Sequence, residues 1–301
     1  MTFRLLYSAI LFLGFISINN CFAQKTDSIL ARKYGALFEE HEYGDVNRAK
    51  KYVDSAVYFA LRSDNAQLIG RSYQYMGWYY QDRAIYSKAN NYFFKSLAFF
   101  RKAKLDQGIA DAYGNIGNAY FDMGEYQKSL DFQLLSLEQN EKIIKRKPKG
   151  YKRHMALQGE TYALHNIGSI YSAIGMYDKA LEYERKSVPY ELKSGNTEGV
   201  AISYTMFAYL FNKLNQVDSA EYYYGLRSKH LDGADDMNIL MAYQFQGNSF
   251  YVRGETDSAR STFVNGYNLA RDKGDTSMIY SFALNAGTTY FDLQLTSMAA
   301  Y

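Results

Sequence analysis

The chain has 301 residues, 48% hydrophobic and 22% charged, with a formal net charge of +3. That is an ordinary globular balance, with enough chain for a large core in one long domain or two shorter ones. Its one cysteine, Cys21, excludes disulfides within the chain and thiolate metal sites with them. Two features of the composition stand out: 31 Tyr, and only 2 Pro, at positions 148 and 189. Scarce proline suits long helices, because proline removes a backbone donor and clashes with the preceding turn.

At the N-terminus, Arg4 precedes a mostly apolar run from Leu5 to Ile18 and a polar stretch ending at Ala23. This is the layout of a secretory signal, and the run is shorter than the roughly 20 residues of a spanning helix. The expectation is a signal peptide over residues 1–23, cut between Ala23 and Gln24. The protein would then be exported to a periplasmic or other extracytoplasmic location. Lipidation of Cys21 is a rival reading, which Asn19 and Asn20 fit badly because small residues belong there; an uncleaved anchor is a third. No later stretch has the apolar length of a spanning helix.

From about residue 29 the chain repeats itself. A degenerate first copy covers Ile29 to Leu61, with Ala49 as its small residue. Six clearer copies align on a small residue in the phrases "YQYMGWYY" (Gly77), "YGNIGNAY" (Gly117), "LHNIGSIY" (Gly168), "YTMFAYLF" (Ala208), "YQFQGNSF" (Gly247) and "ALNAGTTY" (Gly287). The separations are 40, 51, 40, 39 and 40, and a second small residue follows each anchor by 12: Ala89, Ser129, Ala180, Ala220, Ala259 and Ala299. Each copy reads as two helices. Tyr113, Ile116, Gly117 and Tyr120 fall on one helical face, "DMGEY" breaks the pattern at Gly124, and a second stripe begins at Ser129. Gly175 and Gly254 repeat that punctuation. Gly117 costs its helix up to about 1 kcal/mol relative to alanine, so it needs a packing reason: close approach of a neighbouring helix. Tyr113, Tyr120, Tyr171 and their counterparts would fill the space beside that contact.

The 51-residue interval contains "KIIKRKPKGYKR", Lys142 to Arg153, with seven basic residues and no acidic one. Pro148 and Gly150 mark a turn there. The segment reads as a solvated connector, with anionic lipid headgroups or an acidic partner as alternatives. The last copy stops at Tyr301 with its second helix barely begun, which reads as part of a longer protein.

These units resemble the tetratricopeptide repeat family, most closely around Gly117 and Gly168, in a longer-helix variety. The resemblance implies an all-α, right-handed superhelical solenoid of about six to seven helix pairs over residues 24–301. It also implies partner binding on the concave face built from first helices. Carried over residue by residue, that face includes Gln74, Trp78, Gln81, Asn115, Asn118, His165, Asn166 and Ser169. Tyr209, Asn212, Gln244 and Asn248 continue it. These positions lack the basic residues with which some family members clamp a C-terminal carboxylate. Amides and rings suit an extended peptide or a protein instead. No nucleic acid, cofactor or metal is expected. The histidines, His41, His154, His165 and His230, are scattered, and no residue set suggests catalysis. The leading expectation is the extracytoplasmic sensory or docking region of a larger signalling protein, of histidine kinase or transcriptional regulator type. Such a protein would reach the membrane through a downstream spanning helix. The alternative is a free-standing envelope scaffold.

Overall fold

The computed structural model describes residues 2–42, 45–194, 196–230 and 236–299. The described residues form thirteen α-helices with no strand among them. In chain order they are α1 (Thr2–His41), α2 (Val46–Ser63), α3 (Ala66–Gln81), α4 (Tyr86–Lys102), α5 (Asp106–Asp122), α6 (Tyr126–Lys145) and α7 (Tyr151–Ala173). There follow α8 (Tyr177–Ser194), α9 (Thr197–Lys213), α10 (Val217–His230), α11 (Asp236–Val252), α12 (Thr256–Lys273) and α13 (Thr276–Ala299). The fold class read from the period, an all-α series of helix pairs, holds. The chain divides into two compact units, Met1–Ile170 and Tyr171–Tyr301. The expected cleavage point between Ala23 and Gln24 falls inside α1, whose side chains up to Cys21 lie outside the described residues. Among the described residues no helix is long and apolar enough to cross a membrane.

One turn recurs after the first helix of five pairs. Seven residues past the anchor the backbone is left-handed: Ala84 (φ 56°), Gly124 (φ 76°), Gly175 (φ 80°), Asn215 (φ 57°) and Gly254 (φ 78°). The following N–H then reaches back five residues. Ile85 bonds Tyr80, Glu125 bonds Tyr120, Met176 bonds Tyr171, Gln216 bonds Phe211 and Glu255 bonds Phe250, at 2.8–2.9 Å. This six-to-one bond satisfies a carbonyl that the helix end would leave open. Glycine takes the conformation without a Cβ penalty, which Ala84 must bear.

The residue whose carbonyl closes the turn also carries a ring that ties the pair together. Tyr80 stacks on Tyr92 (5.5 Å between centroids, 3° between planes) and Tyr120 on Phe132 (5.6 Å, 19°). Tyr171 stacks on Tyr183 (5.5 Å, 26°) and Phe211 on Tyr223 (5.4 Å, 10°). The same second-helix rings meet Tyr73, Tyr113 and Tyr204 at 5.9–6.2 Å. Lys88, Lys128 and Lys179 lie over Tyr80, Tyr120 and Tyr171 at 5.3–5.4 Å. Such ring pairs add about 0.5–1.5 kcal/mol beyond their buried area. Much of the tyrosine surplus is therefore architecture.

The anchors sit where helices touch. A Cβ built on Gly77 would lie 2.2 Å from the Phe93 ring, and one on Gly247 2.4 Å from Phe263. On Gly117 it would lie 2.7 Å from Gln133 Nε2. Gly168 and Ala208 are buried. The second small residues Ala49, Ala89, Ser129, Ala180, Ala220 and Ala259 are all 0% exposed; the side chain of Ala299 lies outside the described residues. Gly287 departs from the series: a Cβ there meets nothing, and Tyr280, Leu284 and Phe291 are exposed on the same helix. Among the described residues α13 has no second helix over this face, so the glycine lines no seam. Tyr290 is correspondingly exposed.

The basic segment lengthens α6 and then turns. Lys147 (φ 52°) and Gly150 (φ 56°) are left-handed on either side of Pro148. Arg146 pairs with Asp106, Lys142 with Glu138 (2.7 Å) and Lys145 with Glu141 (3.7 Å), whereas Lys147, Lys149, Lys152 and Arg153 are exposed.

Candidate functional site

In the unit Met1–Ile170, two first helices bond to each other directly. Trp78 Nε1 on α3 donates to Asn115 Oδ1 on α5 at 3.2 Å, and Gln81 Nε2 donates to Asp122 Oδ2 at 2.6 Å. Together with α7 and the inner side of α6 they enclose a cavity of about 410 Å³. Of the residues picked from sequence, Gln74, Trp78, Asn115, Asn118 and Asn166 line it. A second cavity of about 240 Å³ shares Asn118 and Asn166 and adds Gln81 and Ser169. The two therefore form one groove. His165 is half-buried and lines neither. Gln74 is only 2% exposed, and its Oε1 accepts from Arg71 Nη1 at 3.3 Å.

Trp78 is less free than a surface anchor would be. It is half-buried, packs against two hydrophobic clusters and lies 5.7 Å from the Tyr75 ring. Its indole N–H is already engaged by Asn115, so this residue serves the fold as well as the groove wall.

The groove floor is set by a register that the sequence reading missed. Sixteen residues past the anchor, α4 buries Phe93 and α6 buries Gln133; seven further on come Phe100 and Asn140. Gln133 and Asn140 are 0% and 1% exposed, as deeply set as the phenylalanines they replace. Gln133 Nε2 donates to Asn118 Oδ1 at 2.7 Å and to the Gly114 carbonyl at 3.1 Å. Asn140 Nδ2 donates to the Ser136 carbonyl at 3.0 Å, and its Oδ1 accepts from Gln107 at 3.2 Å. Gly159 makes room for it: a Cβ there would lie 2.6 Å from Asn140 Oδ1. Three buried polar atoms in these walls have no partner: Asn115 Nδ2, Gln133 Oε1 and Ser129 Oγ. Each costs about 1–3 kcal/mol if it stays unmatched.

The sequence reading also passed over two charges. Arg71 and Asp111 both line the larger cavity. Asp111 accepts from Gln107 Nε2 at 3.0 Å. Burial pushes its carboxyl above the usual range, partly opposed by the Gln107 bond and the Arg71 charge. A charge on a helix ordinarily reads as solvated surface, which is why neither was selected.

In the unit Tyr171–Tyr301 the same registers carry Glu184 and Glu191, 0% and 2% exposed. Ser203 Oγ donates to Glu191 Oε2 at 2.8 Å, and Gly199 leaves space beside the carboxylate. Tyr209 is exposed, and Asn212 Oδ1 is buried without a partner. Gln244 Nε2 donates to Asn248 Oδ1 at 3.4 Å, and its Oε1 accepts from Ser281 at 3.0 Å. Among the described residues no group of three or more His, Cys, Asp or Glu is placed to hold a metal ion.

Residues 109–143, most of α5 and α6, match the family model for the tetratricopeptide repeat. No curated protein matches the sequence. Solved structures do match the fold. The apo quorum sensor NprR from B. thuringiensis aligns with a TM-score of 0.62 at 14% identity, over 86% of this chain and 68% of that one. BtubC from P. vanneervenii aligns at 0.59 and 12% identity, over 80% and 92%. The Rap conjugation gene regulator of plasmid pLS20, in complex with the Phr* peptide, aligns at 0.57 and 13%, over 86% and 78%. At such identities the likeness is one of fold. The resemblance read from the repeat stands: these helix pairs are tetratricopeptide-like.

Proposed function

We propose that this is a non-catalytic repeat domain that binds an extended peptide, or an extended segment of a protein, in the groove of α3, α5 and α7. The observation that carries this reading is the polar wall around Asn115, Asn118, Gln133 and Asn166. It contains one unpartnered donor, Asn115 Nδ2, and one unpartnered acceptor, Gln133 Oε1. A peptide group carries one acceptor and one donor, so rotation of these two amides toward a ligand would match both. Binding would relieve a cost that the free protein bears. Bonds to the peptide backbone hold a chain largely irrespective of its side chains. The Rap regulator solved with its Phr* peptide supports the suitability of such a fold for the task.

In the same proposal the chain is exported, residues 1–23 being its signal peptide, and serves as the extracytoplasmic sensory or docking region of a larger signalling protein. Ligand binding shifts the stacking of its helix pairs only to the extent that one arrangement binds better than another. N-terminal sequencing of the exported protein should begin at Gln24; a chain retaining Met1 would contradict the signal peptide.

For the groove, Asn118→Ala and Trp78→Ala should each weaken binding of a fluorescent random-sequence decapeptide pool about tenfold. Asn118→Ala is the decisive variant, because Trp78 also supports packing. Its circular dichroism should match the parent, and undiminished binding would remove the groove from consideration.

A further inference from the structure

Arg71, Asp111 and Tyr162 occupy one register on three successive first helices, six residues before Gly77, Gly117 and Gly168, and all three line the larger cavity. Arg71 is half-buried and makes one hydrogen bond, to Gln74 Oε1. Among the described residues neither Arg71 nor Asp111 belongs to an ion pair. One cavity wall thus presents a cation and then an anion, on adjacent helices, with no salt bridge between them; the Arg71 charge acts on Asp111 more weakly than burial of its carboxyl does. A guanidinium in this setting takes a carboxylate in a two-bond fork, and a desolvated carboxylate attracts a cation more strongly than one in water.

The spacing constrains the ligand. Helices in contact lie about 8–10 Å apart. An extended peptide in the polyproline II conformation has three residues per turn and rises about 3.1 Å per residue, so side chains i and i+3 share a face about 9 Å apart. The geometry points to a peptide with one acidic and one basic side chain three residues apart, the acid on Arg71 and the base on Asp111. This rests on the groove being a peptide site, as proposed above. The order of the two charges fixes the direction in which the peptide runs across α3 and α5. A neutral peptide makes the backbone bonds but leaves both charges unmatched.

The test uses the intact chain and four fluorescent heptapeptides, acetylated and amidated at their ends, sharing an Ala/Thr background. They carry Glu-x-x-Lys, Lys-x-x-Glu, Glu-x-x-Glu or Gln-x-x-Gln, and anisotropy gives each Kd. One mixed order should bind at least tenfold tighter than the other three peptides. The exchange Arg71→Asp with Asp111→Arg should transfer the advantage to the opposite order. If circular dichroism shows that the exchanged protein has not folded, Arg71→Gln and Asp111→Asn serve instead. Each should bring the favoured peptide to within about twofold of Gln-x-x-Gln. Equal binding of all four peptides, abolished by Asn118→Ala, would keep the groove and overturn the charge assignment. A preference that survives the exchange would overturn it too, and no binding by any peptide would overturn both readings.

Discussion

The pairs α3–α4 and α5–α6 share a turn, a stacked ring and a glycine seam, yet fill the seam differently. In the first, Gly77 opens onto Phe93; in the second, Gly117 opens onto Gln133. Seven residues later Phe100 is replaced by Asn140, with burial unchanged. The repeat scaffold thus specifies a volume at these positions and leaves their polarity open. Where the volume is apolar the seam is filled by packing, with Ser96 Oγ donating to the Gly70 carbonyl at 2.8 Å beside it. Where it is an amide, the same residue holds Asn118 in place on the groove wall. Structure and recognition chemistry are separable in this fold, and adjacent pairs show the two settings side by side.

Exchanging the two fillings should break the comparison most visibly. Phe93→Gln should cost about 3 kcal/mol or more, because it loses a buried ring and brings in an amide with no Asn118 counterpart. Gln133→Met should change stability by no more than about 1 kcal/mol, since it removes an unmatched acceptor together with two bonds. Urea unfolding measures both, and equal costs would end the distinction between the two seams.

The glycines offer a second contrast of similar size. Gly77→Val drives a branched side chain into Phe93 and should cost about 2–3 kcal/mol. Gly287→Ala, in a helix face that touches nothing, should gain up to about 1 kcal/mol from helix propensity alone. A loss at Gly287 comparable to that at Gly77 would mean that its face is covered.

The ring ladder gives a smaller effect. Tyr120→Leu loses the stack on Phe132 and the contact with Lys128 and should cost about 1–2 kcal/mol. Phe250→Leu should cost less, because Thr262 stands where the other pairs carry a ring. Smallest is the pH dependence of Asp111. Burial holds its folded pKa above the ordinary carboxyl value of 3.8. The folded state therefore binds this proton more tightly, and the contribution is full below 3.8 and lost as pH rises through the folded value. Asp111→Asn should flatten that decline in a stability–pH profile.

The fold was legible in the sequence because it depends on small residues recurring at a fixed offset, and volume at a contact leaves a periodic trace. The amide wall was partly legible: Asn115, Asn118 and Asn166 follow from the face that carries the anchors. Gln133 and Asn140 were not, because they lie on second helices beyond the 12-residue offset, where a polar residue usually means solvent. Arg71 and Asp111 lie on first helices and escaped because a charge on a helix usually marks a solvated face. That Gly287 lines no seam could not be read from its phrase, since the phrase records the helix and not its cover.

Trp78 is the sole tryptophan, so its emission reports on the groove without any label. Titrating the intact chain with an unlabelled, tryptophan-free random-sequence decapeptide pool should give a saturable change in that emission. In the Asn118→Ala, Asn166→Ala double variant, with helical content preserved, the midpoint should move at least tenfold higher. Emission that stays flat in the parent protein, or an unchanged midpoint in the double variant, would contradict a peptide site on α3, α5 and α7.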